Sequence, residues 1–275
     1  MSESWVLVGC GYTGTRLARA LVGEGADVTI TRRDGAAVGQ LAVQLGVRGV
    51  RADLAMPATL HGILPADAIV VCLAPPGRDP AAEMRALVAA CAHARRLVYV
   101  SSTGVYGPAG GAWVDEGWPL EPTTAAGRAR VTSESVLAGA EVSHVSLRVA
   151  GIYGPGRGFV ERMRAGTYRI VGDGSAHVSR IHVDDLVATI LAAGRSDVTG
   201  AINVADDDPS PIGEVADAIA AHLGLPPPPR VSPETVAPEI AGMLTADRRI
   251  ANRRMKQLGI TLRYPSWRTS LADAE

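Results

Sequence analysis

Short runs that are apolar throughout alternate along the first half of the chain with longer stretches whose apolar residues recur every three to four positions. Trp5–Val8, Ala26–Thr31, Ile69–Ala74, Leu97–Val100 and Val142–Val149 are runs of the first kind. A run apolar on both faces predicts a strand buried between two layers, as in a parallel sheet. Thr13–Glu24 is of the second kind, with Leu17, Ala20, Leu21 and Glu24 in helical register. Asp79-Pro80 opens another helix, expected to run to about Ala94. There the aspartate can cap the first turn, and proline sits where no N–H is needed. This alternation predicts an α/β fold, a doubly wound parallel sheet with helices on both faces.

The second half is less regular. Val183–Ala193 reads as a helix with Asp184 and Asp185 in its first turn, Ala201–Val204 as a returning strand, and Pro211–Leu223 as a further helix. Pro226–Pro229 reads as a stiff connector. Arg248–Leu258 reads as a basic helix whose Arg248, Arg249, Arg253 and Arg254 form a solvated face. The expected division is a dinucleotide-binding domain over 1–165, completed by the strand near 201–205, and a smaller substrate-binding part over 166–275.

Composition narrows the function. The 275 residues carry a formal net charge of -1, with 47% apolar and 20% charged residues. That balance predicts a globular protein with neither nucleic acid nor membrane as partner. Cys10, Cys72 and Cys91 are scattered without metal-ligand spacing. They read as reduced thiols, and no metal site is expected. No apolar stretch approaches the roughly 18–20 residues that span a bilayer, so the expected location is the cytoplasm.

The strongest local chemistry is Gly9-Cys10-Gly11-Tyr12-Thr13-Gly14, placed directly after a strand and opening a helix. Gly9 permits the tight turn, Gly11 lets the backbone approach a pyrophosphate, and Gly14 lets the helix pack on the strand. Tyr12 and Thr13 belong to the same cofactor-binding loop. Leu73 and Ala74, ending a central strand, are expected to line the cofactor as well. An acidic residue at the end of the second strand would hold the ribose 2′-hydroxyl of NAD. Thr31-Arg32-Arg33 stands there instead, and two guanidiniums suit a 2′-phosphate. NADP(H) is therefore favoured over NAD(H). Asp53 is placed either to meet the adenine or to make a turn.

Val100-Ser-Ser-Thr-Gly-Val-Tyr-Gly107, Leu147-Arg-Val-Ala-Gly-Ile-Tyr-Gly-Pro-Gly156, Gly172-Asp-Gly174 with Ile181-His-Val-Asp-Asp185, Asn203-Val204 and Tyr264-Pro265 occur in that order. In this order they resemble the extended short-chain dehydrogenase/reductases, the NAD-dependent epimerase/dehydratase-like group, over nearly the whole chain. The resemblance implies a Rossmann domain, a small-molecule substrate and a homodimer. It implies that Ser102 hydrogen-bonds the reacting carbonyl or alcohol. It further implies a Tyr-x-x-x-Lys pair that exchanges the proton and holds the nicotinamide ribose.

The chain departs from that pattern where the chemistry is decided. The tyrosine position falls on Ala126 and the lysine position on Arg130. Alanine has no proton to give. Arginine keeps its own, with a pKa above about 12, yet can still hydrogen-bond a ribose. Tyr106, near Ser102, is the substitute acid considered, beside its alternative as a packing residue. His182, Tyr153, Asp115 and Glu116 read mainly as structural or solvated. The arginine that contacts nucleotide phosphates in sugar-nucleotide members is replaced by Val178, with His177 and Arg180 close by. Arg180 is expected either to compensate or to pair with Asp184 or Asp185. Three functions follow: an NADP(H)-dependent oxidoreductase or epimerase-like enzyme with a non-standard or lost proton donor, a catalytically inactive NADP(H) sensor, and, ranked last, a nucleotide-sugar epimerase or dehydratase.

Overall fold

A computed structural model of the chain describes residues 2–271. They form two units that interleave along the sequence. The first comprises the residues up to Ser101 with Ala129–Leu147 and Val187–Ile202. The second comprises Ser102–Arg128, Arg148–Leu186 and the residues from Asn203 onward.

The first unit is built on a seven-stranded sheet. Its strands are β1 (Ser4–Val8), β2 (Asp27–Arg32), β3 (Arg48–Arg51), β4 (Ile69–Cys72), β5 (Arg96–Ser102), β6 (His144–Val149) and β7 (Gly200–Val204). Their order across the sheet is β7-β6-β5-β4-β1-β2-β3. The sheet is parallel, as the all-apolar runs require, with Trp5 opposite Val28 and Ile69, and Ile69 opposite Arg96. All four residues of β4 are buried. Helix α1 (Tyr12–Gly23) buries Leu17, Ala18 and Leu21. Each of the two leucines, wholly removed from water, stabilises this packing by roughly 2 kcal/mol. Helix α2 (Gly35–Leu45) starts on Asp34, whose carboxylate accepts from the Ala37 N–H.

Helix α3 (Pro80–Ala90) begins as read: Asp79 accepts from the Ala82 N–H and Pro80 follows. It ends at Ala90, short of Ala94, because past Cys91 the N–H groups of Ala92 and Ala94 reach back only three residues, to Ala89 and Cys91. Arg96 is buried at the start of β5, where its guanidinium donates to the Ala193 carbonyl (2.7 Å), Ser143 Oγ (2.9 Å) and the Val198 carbonyl. All three cysteines are free and buried, and burial pushes the Cys72 and Cys91 thiols up to about 12.

The second unit is held by short strand pairs. Gly151–Tyr153 runs parallel to Arg180–His182, and Ile170–Val171 parallel to Arg230–Val231. Helix α5 (Phe159–Arg164) follows the first of these segments. Tyr153, Met163, Tyr168, Ile170 and Trp267 share a core with Ile212, Val215 and Ile219 of the helix Ile212–His222. Asp184 and Asp185 lie in the first turn of the helix Val183–Arg195. Asp185 accepts from the Arg263 and Tyr264 N–H groups, clamping the Tyr264-Pro265 segment.

The basic helix expected over Arg248–Leu258 does not form. Arg249–Ile250 is a strand parallel to Trp113–Val114, and only Arg253–Lys256 is helical. Arg248 is no solvated cation either: its guanidinium donates to the Tyr106 carbonyl, and burial lowers its pKa. The arginine spacing that mimicked a helix face spans a strand and a turn. Among the described residues, no helix is long and apolar enough to cross a membrane.

Candidate functional site

In the first unit the glycine loop joins β1 to α1. Gly9 has φ +86, and a Cβ there would lie 2.7 Å from the Ala74 nitrogen. That tight approach is fixed by the Leu73 and Ala74 N–H groups, which both donate to the Val8 carbonyl (2.8 and 3.1 Å). Gly14 lies under Leu73 and Cys10, so the helix seats closely on the strands. Gly11 differs: nothing lies within 4 Å of where its Cβ would be. It precedes α1, whose first turn has no side-chain cap and no acidic residue. An uncapped helix N-terminus beside an open glycine is the arrangement that receives a phosphate. Thr13 is buried against the loop, and Tyr12 carries the Arg16 guanidinium 3.9 Å from its ring centre.

At the end of β2, Arg32 Nε donates to the Cys10 carbonyl (2.5 Å), which holds this side chain across the glycine loop. Arg33 is exposed. Asp34 is the next carboxylate, and it is committed to capping α2. Asp53 turns its carboxylate back to the Ala55 N–H (3.1 Å), while its own N–H donates to Thr59 Oγ1. That is turn geometry. On helix α4 (Ala125–Ala138), Arg130 donates to the Val100 carbonyl (2.8 Å), and Glu134, buried, accepts from Ser101 Oγ.

In the second unit, Ser102 accepts from the Gly104 N–H (3.0 Å). This leaves its own O–H to donate. Tyr106 is buried, and its hydroxyl donates to Asn203 Oδ1 (2.7 Å) and accepts from Arg148 Nη1 (2.9 Å). Asn203 in turn donates from its backbone N–H to Glu116 Oε1 (2.8 Å) and from Nδ2 to the Val114 carbonyl. Tyr106 is therefore a cross-brace, and Glu116 is a clip rather than a solvated loop residue. Arg148 was not singled out from the sequence, although a charge inside the apolar run Val145–Val149 was a usable signal. Ala126 is exposed, and α4 seats closely on the Gly104 carbonyl through Gly127.

His182 is packed between rings, 3.8 Å from Tyr264 and 5.3 Å from Tyr153 by their centres. His177 is held by Asp247 (2.8 Å) and Arg249 (3.0 Å), so it is not free to replace the absent arginine at Val178. Arg180 does not pair with Asp184 or Asp185. It is buried and turned into the core, where its Nη1 donates to the Val178 carbonyl (3.1 Å). Among the described residues, no group of three or more His, Cys, Asp or Glu could hold a metal ion.

Comparison with known proteins agrees with this geometry. A reductase from Streptomyces sp., named 3-diazoavenalumate denitrifying reductase, is 36% identical over 201 residues, covering 66% of this chain and 66% of that protein. This chain thus spans just under two thirds of that relative. A 2-alkyl-3-oxoalkanoate reductase from Stenotrophomonas maltophilia is 32% identical over 250 residues, covering 79% of this chain and 74% of that one. A solved structure of a conserved protein of unknown function from Silicibacter pomeroyi is 32% identical with a TM-score of 0.84, covering 98% and 97% of the two chains. The model of the NAD dependent epimerase/dehydratase family matches residues 5–205. With that match spanning the loop, the sheet and Ser102, the chain belongs to the NAD-dependent epimerase/dehydratase family.

Proposed function

We propose that the chain is an NADP(H)-dependent reductase of a carbonyl compound that bears a carboxylate. The observation that carries the cofactor choice is the junction of Gly11, open toward an uncapped α1, with Arg32 held across the same loop and Arg33 beside it. The pyrophosphate is received at Gly11, Tyr12 and Thr13, and the 2′-phosphate by the two guanidiniums. Leu73 and Ala74 line the remainder of that site, and Asp53, its carboxylate held in a turn, borders it. The bound cofactor supplies a hydride.

The protein's own part is positioning and charge. Ser102 donates to the substrate oxygen as negative charge develops there, its oxygen already accepting from the Gly104 N–H and its proton left to give. Arg130, fixed by the Val100 carbonyl, holds the nicotinamide ribose but keeps its proton. With Ala126 unable to donate and Tyr106 braced, the proton comes from water. Both similar reductases are named for carboxylates, one of them a 3-oxo acid, and this supports the substrate class.

The test is NADPH consumption driven by a medium-chain 3-oxo carboxylate. Ser102→Ala is expected to lower kcat about 100-fold, the loss that follows removal of one oxyanion donor. Tight NADPH binding without turnover of any carbonyl compound would favour the second reading, a cofactor sensor. That reading draws on Ala126 and on the engaged hydroxyl of Tyr106.

A further inference from the structure

Arg180 is a charged group in an unusual place. Its guanidinium lies in the core of the second unit, and among the described residues Nε and Nη2 have no hydrogen-bond partner. Asp206 Oδ2 is likewise buried without a partner. The backbones of the two residues are tied, the Asp206 N–H donating to the Arg180 carbonyl (2.6 Å). Asp208, the other acidic group facing this arginine, is engaged by Ser210 and Ser266. A buried guanidinium with open donors costs several kcal/mol unless an acceptor reaches it.

Aromatic rings surround the cation. The Phe159 ring centre lies 5.0 Å from Arg180 Cζ, and Phe159 meets Tyr168 edge-on at 5.2 Å. Phe159 is the only phenylalanine in the chain and is half-buried, with one side toward solvent. It is the first residue of α5 and follows Gly158, whose φ of +127 only glycine adopts comfortably. Phe159 thus packs its ring beside the guanidinium, directly after a glycine that no other residue replaces comfortably.

We infer that Arg180 is the receptor for the carboxylate of the substrate, with the Phe159 ring packed against the guanidinium beside it. The inference rests on the reductase reading for the identity of the ligand. The open Nε and Nη2 are the two donors of one guanidinium edge, which matches a carboxylate bidentately. Burial pushes the Asp206 carboxyl up against the pull of Arg180, which weakens it as a charged partner of that cation. A substrate so anchored is chosen for its acid group, and an ester of the same chain gains nothing from the arginine.

The test measures equilibrium binding of 3-oxooctanoate and its methyl ester to the NADP+-loaded protein by calorimetry, independent of turnover. The acid is expected to bind at least about tenfold more tightly than the ester, the worth of charge-assisted hydrogen bonds. Arg180→Met is expected to abolish the difference while leaving ester binding unchanged. Should that variant not fold, Arg180→Lys, which keeps charge but loses the bidentate edge, is expected to narrow the preference. Equal binding of acid and ester to the unaltered protein, or a preference that survives in Arg180→Met, overturns the inference. Acid-selective binding with no NADPH consumption upholds the carboxylate site and refutes the reductase reading instead.

Discussion

Gly9 and Ala74 meet so closely that any side chain on Gly9 would collide with the Ala74 backbone, 2.7 Å away, while Gly11, two residues on, faces open space. The two glycines therefore do different work. Gly9→Ala carries both a left-handed backbone penalty and a clash, and is expected to cost at least about 2 kcal/mol. Gly11→Ala, at φ -100, is expected to leave stability within about 0.5 kcal/mol yet weaken NADPH binding at least tenfold, because its methyl would intrude on the proposed pyrophosphate position. Thermal melts and cofactor titrations of the two variants check this. A Gly11→Ala protein that binds NADPH normally would show the phosphate lies elsewhere.

Tyr106 braces Arg148 and Asn203, and its role separates cleanly by substitution. Tyr106→Phe leaves a buried guanidinium and a buried amide oxygen short of one partner each, a loss of about 1–3 kcal/mol. Turnover per folded molecule should stay within a few-fold. A drop of about 100-fold or more in kcat, with a shifted pH profile, would instead mark Tyr106 as the acid.

Asp206 gives stability a pH dependence of unusual sign. Burial raises its folded pKa to about 8, above the ordinary value of 3.8. Between those values the folded state binds more protons than the unfolded one, so stability falls as pH rises. The contribution is complete below about pH 4 and lost above about pH 8. Denaturant unfolding from pH 5 to 9 is expected to show this decline, and Asp206→Asn to flatten it. An unchanged slope in the variant would mean Asp206 ionises normally.

Much of the first unit was legible in the sequence because its signals are local. The all-apolar run at Ile69, the Asp79-Pro80 start and the glycine loop each depend on neighbours a few residues away. The second unit was less legible because its two- and three-residue strands exist only through distant partners. Arg249–Ile250 is a strand because Trp113–Val114 lies beside it, and nothing in the local pattern of arginines says so. The same holds for the site. Ser102 and the glycines are proposed from motif position alone, whereas the brace on Tyr106 and the burial of Arg180 depend on residues tens of positions away. Arg180 shows the limit best, since a charge beside Asp184 and Asp185 in sequence suggests a surface pair and the fold turns it inward.

We propose selection of a phosphorylated dinucleotide by Arg32 and Arg33. Its most direct test is titration of the unaltered protein and of Arg32→Ala/Arg33→Ala with NADPH and with NADH. NADPH is expected to bind the unaltered protein at least about 100-fold more tightly than NADH, a difference of roughly 3 kcal/mol for a paired phosphate. The double substitution should erase most of that preference while NADH affinity stays within a few-fold. Equal affinities for the two cofactors in the unaltered protein, or an equal loss for both in the variant, would contradict it.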